Sequence, residues 1–440
     1  MGRQVMGIHI YDEFDPEAMA MLQALYSRSA KSVKEHADQV RERGSKKFME
    51  SYYVGYGHAS IGDCGSTTIF IETVSLLACK AVQDNPLYSG QETSTRYIDF
   101  SQQPIVDPVG TSASKAIHDA WMSFYFSSLE PVVAHLKQRF PLEEGQKETV
   151  WEKAIQARAF DILRGFLPAG ISSQLSWATN LRQAHEHLQR LEHHPLAEIR
   201  EIADGIRSGL KEKYASSFTH RFDEEVEAYL ANSAGMTAYL EPGSRTASDV
   251  PFSYTTNIDN DQLEACAMEL IAKRPKRAAL PRLLSQFGRY RLSFLLDFGS
   301  FRDLQRHRNG YCAMPLLTTQ FGFHPWYLEQ LPEELQAQAQ ALIEEQSAAI
   351  AALDCDKYTR QYYIPLGMTV MCDLDYDLTE MVYVTELRSG KTVHPTLREV
   401  AHKMDDALRK EHPALVLHSD RDVGDFDIRR GNQDIVQKPG

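Results

Sequence analysis

The densest chemical signal in the chain is Arg306-His307-Arg308, within Phe301-Arg302-Asp303-Leu304-Gln305-Arg306-His307-Arg308-Asn309-Gly310. From Lys273 to Arg308 there are ten basic side chains and two acidic ones, Asp297 and Asp303, in a protein whose formal charge is -13. Guanidinium groups bind phosphate oxygens through paired, charge-assisted hydrogen bonds, so a local positive field of this kind suits a phosphate-bearing ligand. The preceding Arg291-Leu-Ser-Phe-Leu-Leu-Asp-Phe-Gly-Ser-Phe is apolar enough to be buried. The arginines then leave a packed element at its rim, where water screens them less. Spacing alone equally allows a solvated basic helix end paired with Asp and Glu.

A second group lies in the loop Ser89-Gly-Gln91-Glu92-Thr-Ser94-Thr-Arg96-Tyr97. Arg96 and the serines suit a phosphate, and Glu92 suits a ribose hydroxyl or a ring N–H. An ordinary polar loop has the same composition. Asn180-Leu-Arg182 places two polar groups on one helix edge, which is also what a solvated helix face looks like. His185 and His187 diverge on a helix and do not share the i, i+4 face that metal helices use, so no metal site is expected from them or from His193 and His194. No Gly-rich dinucleotide fingerprint, phosphate-binding P-loop or nucleophile elbow is present.

The elements that must position these residues follow from periodicity. Gln4–Ile10 alternates weakly as a strand. Pro16 to about Arg43 reads as helix, with Asp15 as its cap. Lys46–Tyr56 is a further helix, followed by the small-residue loop Gly57-His58-Ala59-Ser60. Thr67–Val74 is β-branched and predicts a strand, and Ser75–Val82 a short helix. Ala113–Arg139 and Lys147–Leu167 read as amphipathic helices, and another runs from Asn180 to Leu191. His194-Pro195 opens the next. The stretch from Asn232 to Asn257 has little periodicity and reads as a connection between halves. After it come a helix at Asp261–Ala272, a strand near Arg291–Asp297, the arginine run and a helix at Pro332–Ala352. Ile364-Pro365-Leu-Gly367 echoes Leu167-Pro168-Ala-Gly170, and His394-Pro395 echoes His194-Pro195. Two shared landmarks in the same order indicate a duplicated domain. The tail from Gly431 to Gly440 reads as disordered.

At 440 residues, with 43% apolar and 24% charged residues, the chain has the composition of a globular protein large enough for two or three domains. It has no apolar run near the ~20 residues that cross a bilayer, and its N-terminus lacks signal-peptide character. A cytosolic protein without a membrane partner is expected. Six scattered cysteines without a C-x-x-C pair indicate neither a zinc site nor a disulfide framework. The acidic balance argues against a nucleic-acid polymer as partner and leaves room for a single nucleotide.

Taken together, these pieces resemble the flavin-dependent thymidylate synthases. That family's hallmark is R-H-R, a serine, then E-x-S-x-R-Y, preceded by a G-H-x-[TS] loop and followed by N-x-R and a later arginine. The first half of this chain keeps Gly57-His58-Ala59-Ser60, Ser89, Glu92, Ser94, Arg96, Tyr97, Asn180 and Arg182, but has Asp84-Asn85-Pro86 in place of R-H-R. The second half keeps Arg302 and Arg306-His307-Arg308, lacks the serine-and-glutamate loop and the G-H, and has Asp377 and Thr379 at N-x-R. Arg388 falls at the late arginine; in the first half that place is Leu191.

The resemblance implies an α+β fold of two tandem domains, 1–232 and 246–430, each a small, mostly antiparallel sheet flanked by helices. It assigns Ser60, Glu92, Asn180, Arg182, Arg306, His307 and Arg308 to FAD, and Ser89, Gln91, Ser94 and Arg96 to the nucleotide. Arg388 becomes the group that polarises the pyrimidine, although it lies in the other half from Arg96. The implied reaction is reductive one-carbon transfer to C5 of dUMP, giving dTMP, with FAD, NADPH and methylenetetrahydrofolate. A different nucleotide substrate, or a non-catalytic flavin- or nucleotide-binding descendant, fits the divided motifs as alternatives. Two fused domains imply a homodimer where the family forms tetramers.

Overall fold

Four strands among the described residues each end on a polar side chain that starts the next helix. Ser75 Oγ accepts from Ala78 N (3.0 Å) and opens Leu76–Gln83, and the Asp297 carboxylate accepts from Ser300 N (2.8 Å) and opens Phe298–Leu304. Asn180 Oδ1 accepts from Gln183 N (2.8 Å) at the head of Leu181–Leu191, and Asp377 Oδ1 from Glu380 N (2.9 Å) at the head of Leu378–Arg388. Each cap satisfies a backbone N–H that has no partner within its helix. The matching positions are the first structural sign of duplication.

The computed structural model describes residues 13–29, 32–55, 57–219, 223–424 and 426–432. The fold is α+β, with six strands among these residues: β1 (Ser66–Ser75), β2 (Ser172–Asn180), β3 (Ser253–Thr256), β4 (Arg289–Asp297), β5 (Tyr311–Cys312) and β6 (Thr369–Asp377). In the first half, β1 leads into Leu76–Gln83, and the helix Glu148–Leu163 leads through a 3-10 turn to β2, Leu181–Leu191 and Ala197–Lys213. In the second half, β4 leads into Phe298–Leu304, and Glu333–Ala352 leads through a 3-10 turn to β6, Leu378–Arg388 and Pro395–Glu411. The order of elements is therefore repeated.

The two Pro-Gly landmarks meet each other. Pro168 and Pro365 form an antiparallel bridge. Ala169 N donates to Ile364 O (2.9 Å), and Leu366 N donates to Leu167 O (2.9 Å). Residue numbers on the two segments run in opposite directions through Pro168 and Pro365, as a local two-fold relation between repeats requires.

The chain divides into two compact units, and both draw on the first half of the sequence. One comprises residues 1–72, 87–92 and 174–238; the other comprises 73–86, 93–173 and 239–440. The strands β1 and β2 pair with each other, and the segment 89–92 lies along β2 through bridges at Ser89–Ala178 and Glu92–Leu175. In the second unit the order is β3-β4-β6-β5, antiparallel throughout. Tyr290, Leu292, Phe294 and Leu296 of β4 face the core, while Arg289 and Arg291 face outward. The expected burial of this segment thus holds for one face of the strand, while the other grades from exposed Arg289 and Arg291 to buried Asp297.

Other sequence expectations shift. The helix expected from Pro16 to Arg43 breaks after Tyr26 and restarts at Val33, because Ser32 and Glu35 form a reciprocal cap. Asp15 does cap the first piece, accepting from Ala18 N (3.0 Å). The helix Glu224–Thr237 runs into the stretch read as a connection. The strands β2 and β6 had not been foreseen. The Gln4–Ile10 strand and residues 433–440 of the tail lie outside the described residues, but Ile428–Asn432 forms a 3-10 turn. All six cysteines are free. Among the described residues, no helix is long and apolar enough to cross a membrane.

Candidate functional site

The helix Phe298–Leu304 ends with Gln305 N on Phe301 O (3.0 Å), and His307 N closes a last turn on Leu304 O (2.9 Å). Beyond it the side chains diverge. Arg306 faces outward, with 48% of its side chain exposed and Nε 3.7 Å from Asp303 Oδ1. His307 turns inward and is buried. Arg308 reaches to the C-terminal end of Leu76–Gln83, where its Nε donates to Gln83 O (3.2 Å). Gln305 Nε2 donates to Lys80 O (3.1 Å) of the same helix. A cation at a helix C-terminus meets both unpaired carbonyls and the negative end of the dipole. Arg308 is therefore a clamp, and Arg306 is the member of the triplet open to a ligand.

Arg388, the last residue of Leu378–Arg388, comes in behind the triplet. Its Nε donates to His307 Nε2 (2.9 Å) and its Nη2 to Asp303 O (2.7 Å). On the other side of the imidazole, Nδ1 is 3.8 Å from Glu380 Oε1, and Asn309 Nδ2 donates to Glu380 Oε2 (3.1 Å). Burial and then Arg388 push the His307 pKa down to about 3, so the ring is neutral. Burial alone would raise the Asp303 carboxyl, but Arg388, Arg96, Arg306 and Arg164 override it and hold it well below the usual carboxylate range.

Arg96 joins this cluster from the first half of the sequence. Its Nε and Nη2 grip Asp161 (2.6 and 3.0 Å), and Nη2 also donates to Thr392 O (3.1 Å). Ser94 Oγ accepts from Arg96 N (3.2 Å) and so shapes the backbone that carries the guanidinium. Arg430, from the C-terminal turn, grips the same Asp161. Arg164 reaches Asp297 (3.8 Å). Five guanidinium groups thus lie around three carboxylates, Asp161, Asp297 and Asp303. Burial and the neighbouring arginines both disfavour the charge on Arg388 and Arg430. An anion arriving at the exposed edge would relieve that repulsion.

The remaining expected residues lie in the first unit. Ala178 N donates to Ser89 O (2.8 Å) and Ser176 N to Gln91 O (2.8 Å), so Ser89 and Gln91 ride on a strand-like edge beside β2. Gly90 is required there, because a Cβ would stand 1.9 Å from Ser176 O. Glu92 sits opposite Leu175. Ser60 is exposed on the short turn Ala59–Gly62. Arg182 Nε donates to Asp63 Oδ1 (2.8 Å), just past that turn. Asn180 is the cap already described.

Neither Asp161 and Arg430 beside Arg96 nor Glu380 beside His307 is legible in the sequence, since each is distant in the chain from the group it meets. Asp303 stands inside the run itself and meets both Arg306 and Arg388. Arg388, expected against a pyrimidine, is 15% exposed at its side chain and bonded to His307. Among the described residues no cluster suits a metal ion. An open groove lined by Thr255, Arg291, Ser293 and Tyr311 lies on the outward face of the four-stranded sheet and includes none of the clustered arginines. The half-exposed Arg306, with a cation-rich cluster behind it, fits a dianionic nucleotide cofactor such as FAD in its donor chemistry.

Residues 10–214 match the family described as thymidylate synthase complementing protein. A Chlamydia muridarum (strain MoPn / Nigg) protein with the name UPF0159 protein is 26% identical over 434 residues, covering 84% of this chain and 80% of its own length. A UPF0159 protein of Chlamydia pneumoniae is 25% identical over 452 residues, with 89% and 84% covered. One of Thermoplasma acidophilum is 21% identical over 485 residues, with 94% and 97% covered. These relatives run through both halves of the chain.

Proposed function

We propose that this chain, which belongs to the thymidylate synthase complementing protein family, is a flavin-dependent enzyme that acts on a pyrimidine nucleotide. The reaction we assign is one-carbon transfer to C5 of dUMP, giving dTMP. The observation that carries this reading is the convergence of Arg96, Arg306 and Arg388 on Asp303, which gathers cationic groups of both sequence halves in one unit. FAD, reduced by NADPH, supplies the hydride chemistry for moving the one-carbon unit of methylenetetrahydrofolate.

The chain's own part is orientation and electrostatics. Arg306 takes the phosphates of the cofactor. His307 and Arg388 form the rigid wall behind it, and Arg308 fixes that wall to the helix Leu76–Gln83. Arg96, with Ser94 beneath its backbone, adds positive field for the nucleotide phosphate. On the family resemblance alone, Ser89 and Gln91 remain assigned to nucleotide binding and Ser60, Glu92, Asn180 and Arg182 to flavin binding; within their own unit, Ser89 and Gln91 lie along β2 and Arg182 is oriented by Asp63. A homodimer supplies the equivalent of four domains. The test is to purify the protein, record its flavin absorbance and ask whether dUMP stimulates NADPH oxidation. Bound FAD with dUMP-dependent oxidation supports the reading, and a colourless protein that binds neither contradicts it.

A second reading is favoured by one observation: Arg388 is committed to His307 and Asp303. Flavin and nucleotide then bind, but the substrate differs or no transfer follows. Mass spectrometry of products from dUMP, dCMP and UMP separates the two.

A further inference from the structure

The helix Leu378–Arg388 buries Leu378, Met381, Val382 and Val384, yet also turns large apolar side chains outward. Glu380 and Thr385 are buried, while its two exposed positions are Tyr383 (52%) and Leu387 (46%). They stand four residues apart, on one face of the helix. The Tyr383 ring meets the buried His307 ring edge to face, with centroids 5.9 Å apart at 71°. Next to His307 in the chain is Arg306, the half-exposed guanidinium. A water-facing aromatic ring and an aliphatic side chain thus lie on the helix that packs against the buried member of the Arg306-His307-Arg308 run. Outward positions of a solvated helix are normally polar, so this shelf calls for an occupant. Its neighbour's charge indicates which: a molecule that carries phosphate for Arg306 and a planar ring for Tyr383.

We propose that Tyr383, with Leu387 one turn further on, is the stacking platform for a planar ring of the flavin cofactor whose phosphates Arg306 takes. This rests on the reading of the site as a flavin site. Tyr383 stands between the buried Val382 and Val384, so the backbone that presents the ring is held in place. His307 supports it from behind and gains a role without touching the cofactor.

The experiment titrates the full-length protein with FAD and follows flavin fluorescence, comparing wild type with Tyr383→Phe and Tyr383→Leu. A tyrosine stacked on a flavin quenches its emission. Wild type is expected to bind with quenching, and Tyr383→Phe to bind within about threefold of it, since stacking needs only the ring. Tyr383→Leu should bind about tenfold or more weakly, as loss of an aromatic stacking partner does elsewhere, with thermal stability unchanged. Wild type that binds FAD while Tyr383→Leu matches it in affinity and emission overturns the platform and leaves the flavin reading standing. Wild type that binds no FAD overturns both. If Tyr383→Leu instead changes the oligomeric state without changing FAD affinity, a second copy covers the ring and the proposal is wrong.

Discussion

Arg388 donates from Nε to Nε2 of His307 at 2.9 Å, and that contact decides where the imidazole proton lies. With Nε2 accepting, the proton of the neutral ring sits on Nδ1, facing Glu380. The Arg306-His307-Arg308 run thus separates into three parts: an outward cation, a buried neutral imidazole and a helix clamp.

His307 is one of several imidazoles buried in neutral form. His307 and His194 are pushed down to about 3 and His118 to about 4, in each case chiefly by burial. The unfolded chain takes up protons on these groups near pH 6.5, and the folded chain does so only well below. Stability is therefore complete above pH 6.5 and declines as pH falls from there toward 4, by up to about 1.4 kcal/mol per unit for each imidazole. Urea melts between pH 7.5 and 5 should show the midpoint dropping on the acid side. A midpoint that stays level over that range would contradict the neutral burial.

Asp303 is the anion that holds Arg306 and Arg388 in place. Asp303→Asn leaves those cations facing one another, at a cost of about 3 kcal/mol. Its thermal midpoint should fall, and FAD binding should weaken because Arg306 loses its anchor. Glu→Gln changes at exposed carboxylates such as Glu344 should leave both unchanged.

Arg306 and Arg308 should behave differently although they stand two residues apart. Arg308→Ala removes the Nε contact to Gln83 O and should cost about 1 kcal/mol of stability. Arg306→Ala, at an exposed side chain, should leave the melting curve nearly unmoved. Chemical denaturation of the two variants side by side checks this contrast.

Gly90→Ala tests the loop that carries Ser89 and Gln91. A methyl group 1.9 Å from Ser176 O forces the 89–92 edge away from β2. The expected cost is about 2 kcal/mol, with weaker dUMP binding in an equilibrium titration. A Gly90→Ala variant as stable as wild type would show that the edge does not hold this conformation.

Much of the fold was legible in the sequence, because its signals are local. Asp15, Ser75 and the β-branched run of β1 each act within a few residues, and the two Pro-Gly landmarks revealed the repeat. The strand β2, Ser-Ser-Gln-Leu-Ser-Trp-Ala-Thr-Asn, escaped because its small and polar residues carry little strand propensity, and pairing with β1 makes it a strand. The break after Tyr26 was hidden by helical spacing on both sides of it. At the site, the residue types were readable and their partners were not. Nothing near Arg388 in the chain announces His307, and nothing near Arg96 announces Asp161 or Arg430. Those partners come from tertiary packing, which also sets Arg388 against His307 and Asp303.

The central claim is that Arg306 is the outward cation of a flavin-nucleotide site. Its most direct test is an equilibrium FAD titration of wild type and Arg306→Ala, with folding verified by circular dichroism. The account predicts saturable FAD binding by wild type and its loss in a folded Arg306→Ala protein; unchanged FAD affinity in that variant, or no binding by wild type, would contradict it.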